Sequence, residues 1–337
     1  LTTVRGAGAA ASRRPAVAAE AVRELDAAAG SGRGRKSNRN RRETVAGLLF
    51  ISPWIIGFLI FTVISMSYSL VLSFTDYDLA TNTMDPVGGE NFVQLVENPR
   101  VLMSLGNTFT FAVMAVPLEL AMALLMALLL NSVRRGAGLF RVIYYLPKMT
   151  PAVATAAVFL LLLNGNQGAI NKFLDAIGIQ GPQWLLDPNW VKPSIVIMSV
   201  WAVAGSAVIL LAALQAVPEE LYESAAIDGA GPLRRFTKIT LPMISPTIFF
   251  LVITLTIASL QVFDQAYLLF YRDGADSSAP EAALFYGIYL YQQAFQQFNF
   301  GLAAAMAWLL FAIILLITLV QFLVGRRFVH YESGEGS

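Results

Sequence analysis

Cysteine is absent from the 337 residues, which excludes disulfide staples and thiolate metal sites and leaves the redox compartment without a marker. Histidine occurs once, as His330 near the end of the chain, so a histidine-rich metal centre is excluded and an exposed position is expected. Charge is scarce: Asp, Glu, Lys and Arg make up 13% of the sequence, against roughly a quarter in a soluble domain. No G-x-x-x-x-G-K-[ST] phosphate loop occurs, so any nucleotide must be bound elsewhere. Short alternating apolar and polar strands are lacking too, which argues against an outer-membrane barrel. What the chain does have is apolar surface. Hydrophobic residues reach 56%, mean hydropathy is +0.62, and the apolar residues fall in blocks. Length alone would fit one large or two ordinary soluble domains, but blocks of this kind make one α-helical membrane bundle.

Six blocks can be marked: about Val45–Phe74, Leu105–Leu130, Leu139–Leu163, Val191–Leu214, Ile244–Phe270 and Gly301–Val324. Each is long enough to cross a hydrocarbon core about 30 Å thick at about 1.5 Å per residue. Pro53 and Pro117 are compatible with membrane helices. The pair Pro147 and Pro151 is expected to bend or interrupt the third block.

Lysine and arginine set the orientation. They cluster before the first block (Arg33, Arg35, Lys36, Arg39, Arg41, Arg42), between the second and third (Arg134, Arg135, Arg141), after the fourth (Arg234, Arg235, Lys238) and after the sixth (Arg326, Arg327). The intervening segments carry Arg100, Lys172, Lys192 and Arg272, with Asp76, Asp78, Asp85, Glu90 and Glu97 gathered in the first. Both termini are therefore expected in the cytoplasm of a multi-pass protein. Basic clusters beside membrane segments read as topology signals rather than as a nucleic-acid surface. The chain opens on Leu1 rather than methionine, so an altered or missing start is expected. Residues 1–40 read as a disordered cytoplasmic tail, 41–327 as the six-helix domain and 328–337 as a short C-terminal tail. Phe92, Trp184, Trp190, Tyr286, Tyr289 and Tyr291, in the external segments, are expected to anchor at the headgroups or to form a docking surface.

The link from Pro218 to Pro246 is too polar to span and too patterned to be a plain loop. Pro218 suits a first helical turn, and Glu219, Glu220 and Glu223 favour its positive end. Asp228-Gly229-Ala230-Gly231-Pro232 punctuates this helix, and Gly229 would allow a close approach or a positive φ. A second helical piece carries Leu233, Phe236, Ile239 and Thr240, and Pro242 is expected to end it at the membrane surface. Such a helix–turn–helix suits docking into a groove on another protein; an amphipathic loop lying on the bilayer is the alternative.

Tyr222-Glu223, Ile227-Asp228-Gly229-Ala230 and Phe236-x-x-Ile239-x-Leu241-Pro242 resemble the cytoplasmic "EAA" loop of bacterial ABC importer permeases, in particular the maltose, glycerol-phosphate and multiple-sugar branch. Ser224 stands where the motif usually has alanine and is small enough for the same helix. Ser52-Pro53-Trp54, Phe74-Thr75-Asp76-Tyr77, Asn107-Thr108, Gly168, Ile170, Asn171 and Phe298-x-Phe300-Gly301-x-Ala303-Ala304-Ala305 extend the likeness over about residues 45–327. The resemblance implies an all-α, maltose-permease-like fold of six transmembrane helices in the bacterial cell membrane. It implies that Glu223, Ala225, Ala226, Asp228, Gly229, Ala230, Phe236, Leu241 and Pro242 couple the chain to an ATPase. The implied partners are a second homologous permease, two ATPase subunits that hold ATP and Mg, an extracytoplasmic sugar-binding protein, the sugar itself and membrane lipid. No cofactor is expected on this chain, and no catalysis.

Ionisable groups at membrane depth face protein or a cavity. Asp264 sits in Gln261-Val262-Phe263-Asp264-Gln265, where carboxylate, amide and aromatic ring suit sugar hydroxyls and apolar sugar faces. Gln261, Phe263, Asp264 and Tyr267 are expected along the substrate path, and Asn107 is grouped with them; an interhelical hydrogen-bond cluster is the alternative for this segment. Glu119 is expected to pair within the bundle, and Lys148 to lie near one end of the third block. An amino-acid or peptide ABC permease, a secondary transporter and a membrane scaffold remain as rival readings.

Overall fold

The computed structural model describes residues 43–79, 81–133, 136–271 and 279–326. The basic N-terminal flank, both tails, Arg134, Arg135, Arg272, Arg327 and His330 lie outside the described residues. The chain divides between Ser69 and Leu70 into two units. Most of the first helix, α1 (Glu43–Leu72), belongs to the first unit. Its hydroxyls are satisfied within the helix, Ser52 donating to the Leu49 carbonyl at 2.8 Å and Ser67 to the Val63 carbonyl at 2.7 Å. Trp54 stacks on Phe58 one turn on, with ring centroids 5.6 Å apart. A π-helical stretch, Leu59–Ile64, lies inside the helix.

In the second unit a small antiparallel hairpin, β1 (Thr75–Asp78) with β2 (Thr83–Pro86), pairs Thr75 with Pro86 and Asp78 with Thr83. Helix α2 (Glu90–Glu97) follows, and its Asn91 donates to the carbonyls of Ser73 and Thr75, both at 3.0 Å. Gly301 packs directly on the Thr75 carbonyl, at a point where a side chain would collide with backbone. The long helix α3 (Pro99–Ser132) starts at Asn98, whose side chain accepts from the Arg100 N–H, with Pro99 in the first turn where its missing N–H is harmless. Pro117 does not interrupt it.

The third block is two helices, α4 (Ala137–Met149) and α5 (Ala152–Leu162), bent by 93° at Pro151. The expected break is therefore present. The fourth block is also bent, by 50°, between α7 (Pro188–Trp201) and α8 (Ala204–Gln215); α6 (Ala169–Ala176) lies in the segment before it. This second bend has no proline at its centre. Ala202 and Val203 bond back to Ser199 and Val200, a tightened three-residue turn that ends α7.

After α8 come α9 (Glu219–Ile227) and α10 (Pro232–Arg235), the latter running on through a π turn (Phe236–Thr240) and a last turn, Leu241–Met243. The piece ends at Met243, one residue past Pro242, and breaks at Ile244, which agrees with the expected stop at the proline. The π turn shifts the hydrogen-bond register ahead of it, the Leu241 N–H reaching the Phe236 carbonyl. The fifth block is α11 (Ser245–Leu260) and α12 (Asp264–Phe270), interrupted at Gln261–Phe263. Helix α13 (Tyr286–Tyr291) and a π turn (Gln292–Gln296) precede α14 (Phe300–Gly325). Among the described residues four helices are long and apolar enough to cross a membrane, and six spans result if each bent pair counts once.

Small residues draw the helices together. Ala123 and Ala127 of α3, one turn apart, are fully buried in a cluster with Ala207, Leu210 and Leu214 of α8 and Ile244. A second cluster joins Phe111 and Ala115 of α3, Ile195 of α7, Phe285, Tyr286 and Ile288, and Met306 of α14. Phe111 and Phe285 meet edge to face at 5.6 Å. Trp184, Tyr286 and Tyr289 are buried in this core and so are not exposed headgroup anchors. Tyr286 donates its hydroxyl to the Met306 carbonyl at 2.9 Å and its backbone N–H to the Thr108 hydroxyl oxygen, also at 2.9 Å; burial pushes its phenol pKa up. Trp184 donates to Asn171, which in turn donates to the Gly165 and Pro182 carbonyls, tying the 164–190 segment into a fixed shape.

Candidate functional site

The link between α8 and α11 is built from local rules. Helix α9 closes on Gly229, whose φ of +74° is the left-handed conformation that glycine adopts without steric penalty. The Ala230 N–H bonds the Ala225 carbonyl at 2.9 Å and the Gly229 N–H bonds the Ala226 carbonyl at 3.1 Å, a Schellman closure. Among the described residues, no atom apart from its own chain neighbours lies within 4 Å of where a Gly229 side chain would begin. Positive φ, rather than close packing inside the chain, is thus what requires glycine here.

Two side-chain bonds tie the halves of the link. The Tyr222 and Thr240 hydroxyls are 2.8 Å apart, and Arg235 donates to the Ala230 carbonyl at 2.7 Å. Glu223, Ala226, Asp228 and Gly229 are exposed, Ala225, Ala230, Phe236 and Pro242 half-buried, and Leu241 sits on the margin of exposure. The tip carries two bare aliphatic side chains, Ile227 at 87% exposure and Leu233 at 76%. Sequence reading placed Ile227 in the motif and Leu233 in the second helical piece, but named neither among the ATPase-coupling residues.

Further along the fold, a cavity of about 570 Å³ is walled by α3, α7, α8, α11 and the Gln261–Phe263 interruption. Gln261, Phe263 and Asp264 line it, together with Gln265, Ser199, Glu119 and Lys148. Irregular backbone at membrane depth is tolerable where it faces such a cavity. Ser199 donates to Gln265 at 3.1 Å, and Glu119 lies beside both Ser199 and Lys148. Three ionisable groups, Glu119, Lys148 and Asp264, thus share one space with amides, a hydroxyl and aromatic surface.

Tyr267 is not a wall of the cavity but stacks on Phe263, with centroids 5.2 Å apart and planes 21° apart. Asn107 is elsewhere. It borders a separate recess of about 560 Å³ with Leu186, Pro188 and Glu281, and donates to the carbonyls of Glu281 (2.9 Å) and Leu284 (3.0 Å). Of the five sequence-named residues, three therefore meet at the cavity, Tyr267 stacks on one of them and Asn107 pins the 281–284 segment. Glu119, Lys148 and Ser199 lie far from the 261–265 stretch in sequence; the only signal for the first two was charge within an apolar block. Among the described residues no group of three or more His, Cys, Asp or Glu could hold a metal ion.

These features define a multi-pass, all-α membrane permease. Residues 100–330 match the model of the binding-protein-dependent transport system inner membrane component family, and the chain belongs to that family. It is 40% identical over 303 residues to the Probable ABC transporter permease protein YesP of Bacillus subtilis strain 168, covering 89% of this chain and 97% of that one. The lactose transport system permease protein LacF of Rhizobium radiobacter is 34% identical over 87% of this chain and 98% of its own length. Among solved structures, a bacterial ABC transporter involved in the import of the acidic polysaccharide alginate matches with a TM-score of 0.75 and 26% identity. That alignment covers 88% of this chain and all of the other.

Proposed function

We propose that the chain is one permease subunit of an ATP-driven, binding-protein-dependent carbohydrate importer. It works with a second, homologous permease, two ATPase subunits that bind ATP and Mg, and an external sugar-binding protein. The observation that carries this reading is the 218–246 link: a rigid helix–turn–helix with a bare aliphatic tip, joined directly to a wall of the polar cavity. Glu223, Ala225, Ala226, Asp228, Gly229, Ala230, Phe236, Leu241 and Pro242 form its contact and hinge surface on the cytoplasmic side, with both termini on that side. Relatives whose names specify lactose, trehalose/maltose and alginate support a saccharide cargo.

The mechanics follow from the ties. A displacement of α9 by the ATPase reaches the π turn through Tyr222–Thr240 and Arg235–Ala230. The π turn leads into α11, whose Leu251, Thr254, Leu255 and Ala258 line the cavity. Motion at the tip is thereby delivered to the wall that ends at Gln261–Asp264. There Asp264 and Gln261 accept or donate to sugar hydroxyls while Phe263 covers an apolar sugar face.

The test is uptake of labelled sugars by proteoliposomes holding the complete complex. Uptake that requires internal ATP and persists when ionophores collapse all ion gradients fits this reading. Uptake abolished by the ionophores and indifferent to ATP would make the chain part of a secondary transporter.

A further inference from the structure

Five aromatic rings run in unbroken contact away from the cavity. Phe263, on the cavity wall, stacks on Tyr267, and Tyr267 continues to Tyr271 at 6.4 Å with planes 18° apart. Tyr291 sits across both Phe263 (5.4 Å) and Tyr267 (5.3 Å), and Phe295 lies 5.1 Å beyond Tyr291. The row branches at Tyr267: Tyr271 ends one branch buried, whereas on the other Phe263, Tyr267 and Tyr291 are half-buried and Phe295 is 60% exposed.

The backbone holds this arrangement in place. Gly287 lets α13 approach Phe263, since even a methyl group there would come within 3.2 Å of the Val262 carbonyl. Tyr291 stands one turn further along α13, on the same face. The π turn Gln292–Gln296 then widens the helix, its ring closed by the Gln297 N–H on the Gln292 carbonyl. Beyond it Phe298 holds a φ of +57°, unusual for a bulky side chain, and Asn299 ties back to the Gln293 carbonyl at 2.8 Å.

Half-open aromatic faces, flanked by Gln296 and Gln297 and leading to a carboxylate and an amide, suit a ligand with one apolar face and a polar rim. A pyranose ring is such a ligand. We propose that Tyr291 and Phe295 form an outer stacking station for saccharides, from which the sugar passes over Phe263 to Asp264 and Gln261. The proposal rests on the carbohydrate reading above and adds to it a second site, outside the cavity, that extends the path by two rings. A saccharide of two or three units bridges the station and the cavity at once, whereas a single unit occupies one or the other.

The experiment uses the complete complex with its binding protein in proteoliposomes and a panel of glucose, lactose, trehalose, maltose and maltotriose. Wild type is compared with Phe295→Ala, Tyr291→Ala, Phe295→Trp and Tyr291→Phe. The alanine variants should assemble normally and lose about three- to tenfold in initial uptake of the di- or trisaccharide at low concentration. The ring-retaining variants should restore it, and the effect should shrink at saturating sugar and for glucose. Alanine variants that transport every accepted sugar like wild type would overturn the station while leaving the importer reading intact. Alanine variants that fail to pair with the second permease would overturn it too, by making Phe295 a subunit contact. Wild-type failure on the whole panel would remove the carbohydrate reading, and the station with it.

Discussion

Replacing Gly229 separates what the turn needs from what its surroundings need. At φ +74° an alanine strains the backbone by about 1–2 kcal/mol, which is a factor of roughly 5–30 in the population of the closed turn. Each of the two ties that oppose the loss, Tyr222–Thr240 and Arg235–Ala230, contributes about 0.5–1.5 kcal/mol. The strain is therefore comparable with what holds the link. Asparagine tolerates the left-handed conformation better and should be the milder substitution. Because the space around Gly229 is open within this chain, any further penalty from bulk must come from another molecule. The assay is titration of the purified permease pair with its ATPase, read as apparent affinity. Gly229→Ala should weaken assembly by up to that factor, Gly229→Asn by less, and Gly229→Trp by clearly more than alanine if the ATPase approaches the turn. Alanine with unchanged affinity would refute the backbone argument, and tryptophan equal to alanine would refute the docking geometry.

Other perturbations test other parts of the fold. Tyr222→Phe should cost about 0.5–1.5 kcal/mol of local stability, seen as faster proteolysis of the 218–246 link with the remaining helices unaffected. Asn107→Leu should lower the thermal midpoint of the permease, chiefly because the carbonyl of buried Leu284 loses its Asn107 donor at about 1–3 kcal/mol, without changing which sugars are carried. Gly301→Ala should prevent normal folding or lower the thermal midpoint sharply, because its methyl group meets the Thr75 carbonyl and the Asn91 amide. Asp264→Asn should leave assembly intact and reduce sugar uptake roughly tenfold or more, the scale of losing a charge-assisted hydrogen bond.

The spans were legible because lipid demands long apolar runs, and the ends of those runs agree with the helices to about three residues, except that α3 starts at Pro99, six residues before Leu105. The 93° bend was legible because Pro147 and Pro151 stand in the sequence. The 50° bend was not: Ala202 and Val203 are ordinary apolar residues, and the turn there depends on packing. The 218–246 link could be read as helix–turn–helix ending near Pro242 because capping, glycine and proline chemistry are local. The π turn Phe236–Thr240 could not, since it has no simple sequence signature. The cavity was half legible. Gln261, Phe263 and Asp264 stand out as polar or aromatic groups in an apolar run, but their meeting with Glu119, Lys148 and Ser199 is a long-range fact of packing. Asn107 illustrates the converse, a polar residue in a span that serves backbone carbonyls away from the cavity. The burial of Trp184 and Tyr286 followed from Asn171 and Met306, partners that aromatic content alone cannot reveal.

The most direct test is ATP hydrolysis by the reconstituted complex, measured with and without the sugar-loaded binding protein. Stimulation of several-fold by the loaded binding protein, lost when Gly229→Trp is present, is the predicted result. Hydrolysis that ignores the binding protein and its sugar in a properly assembled wild-type complex would contradict the account.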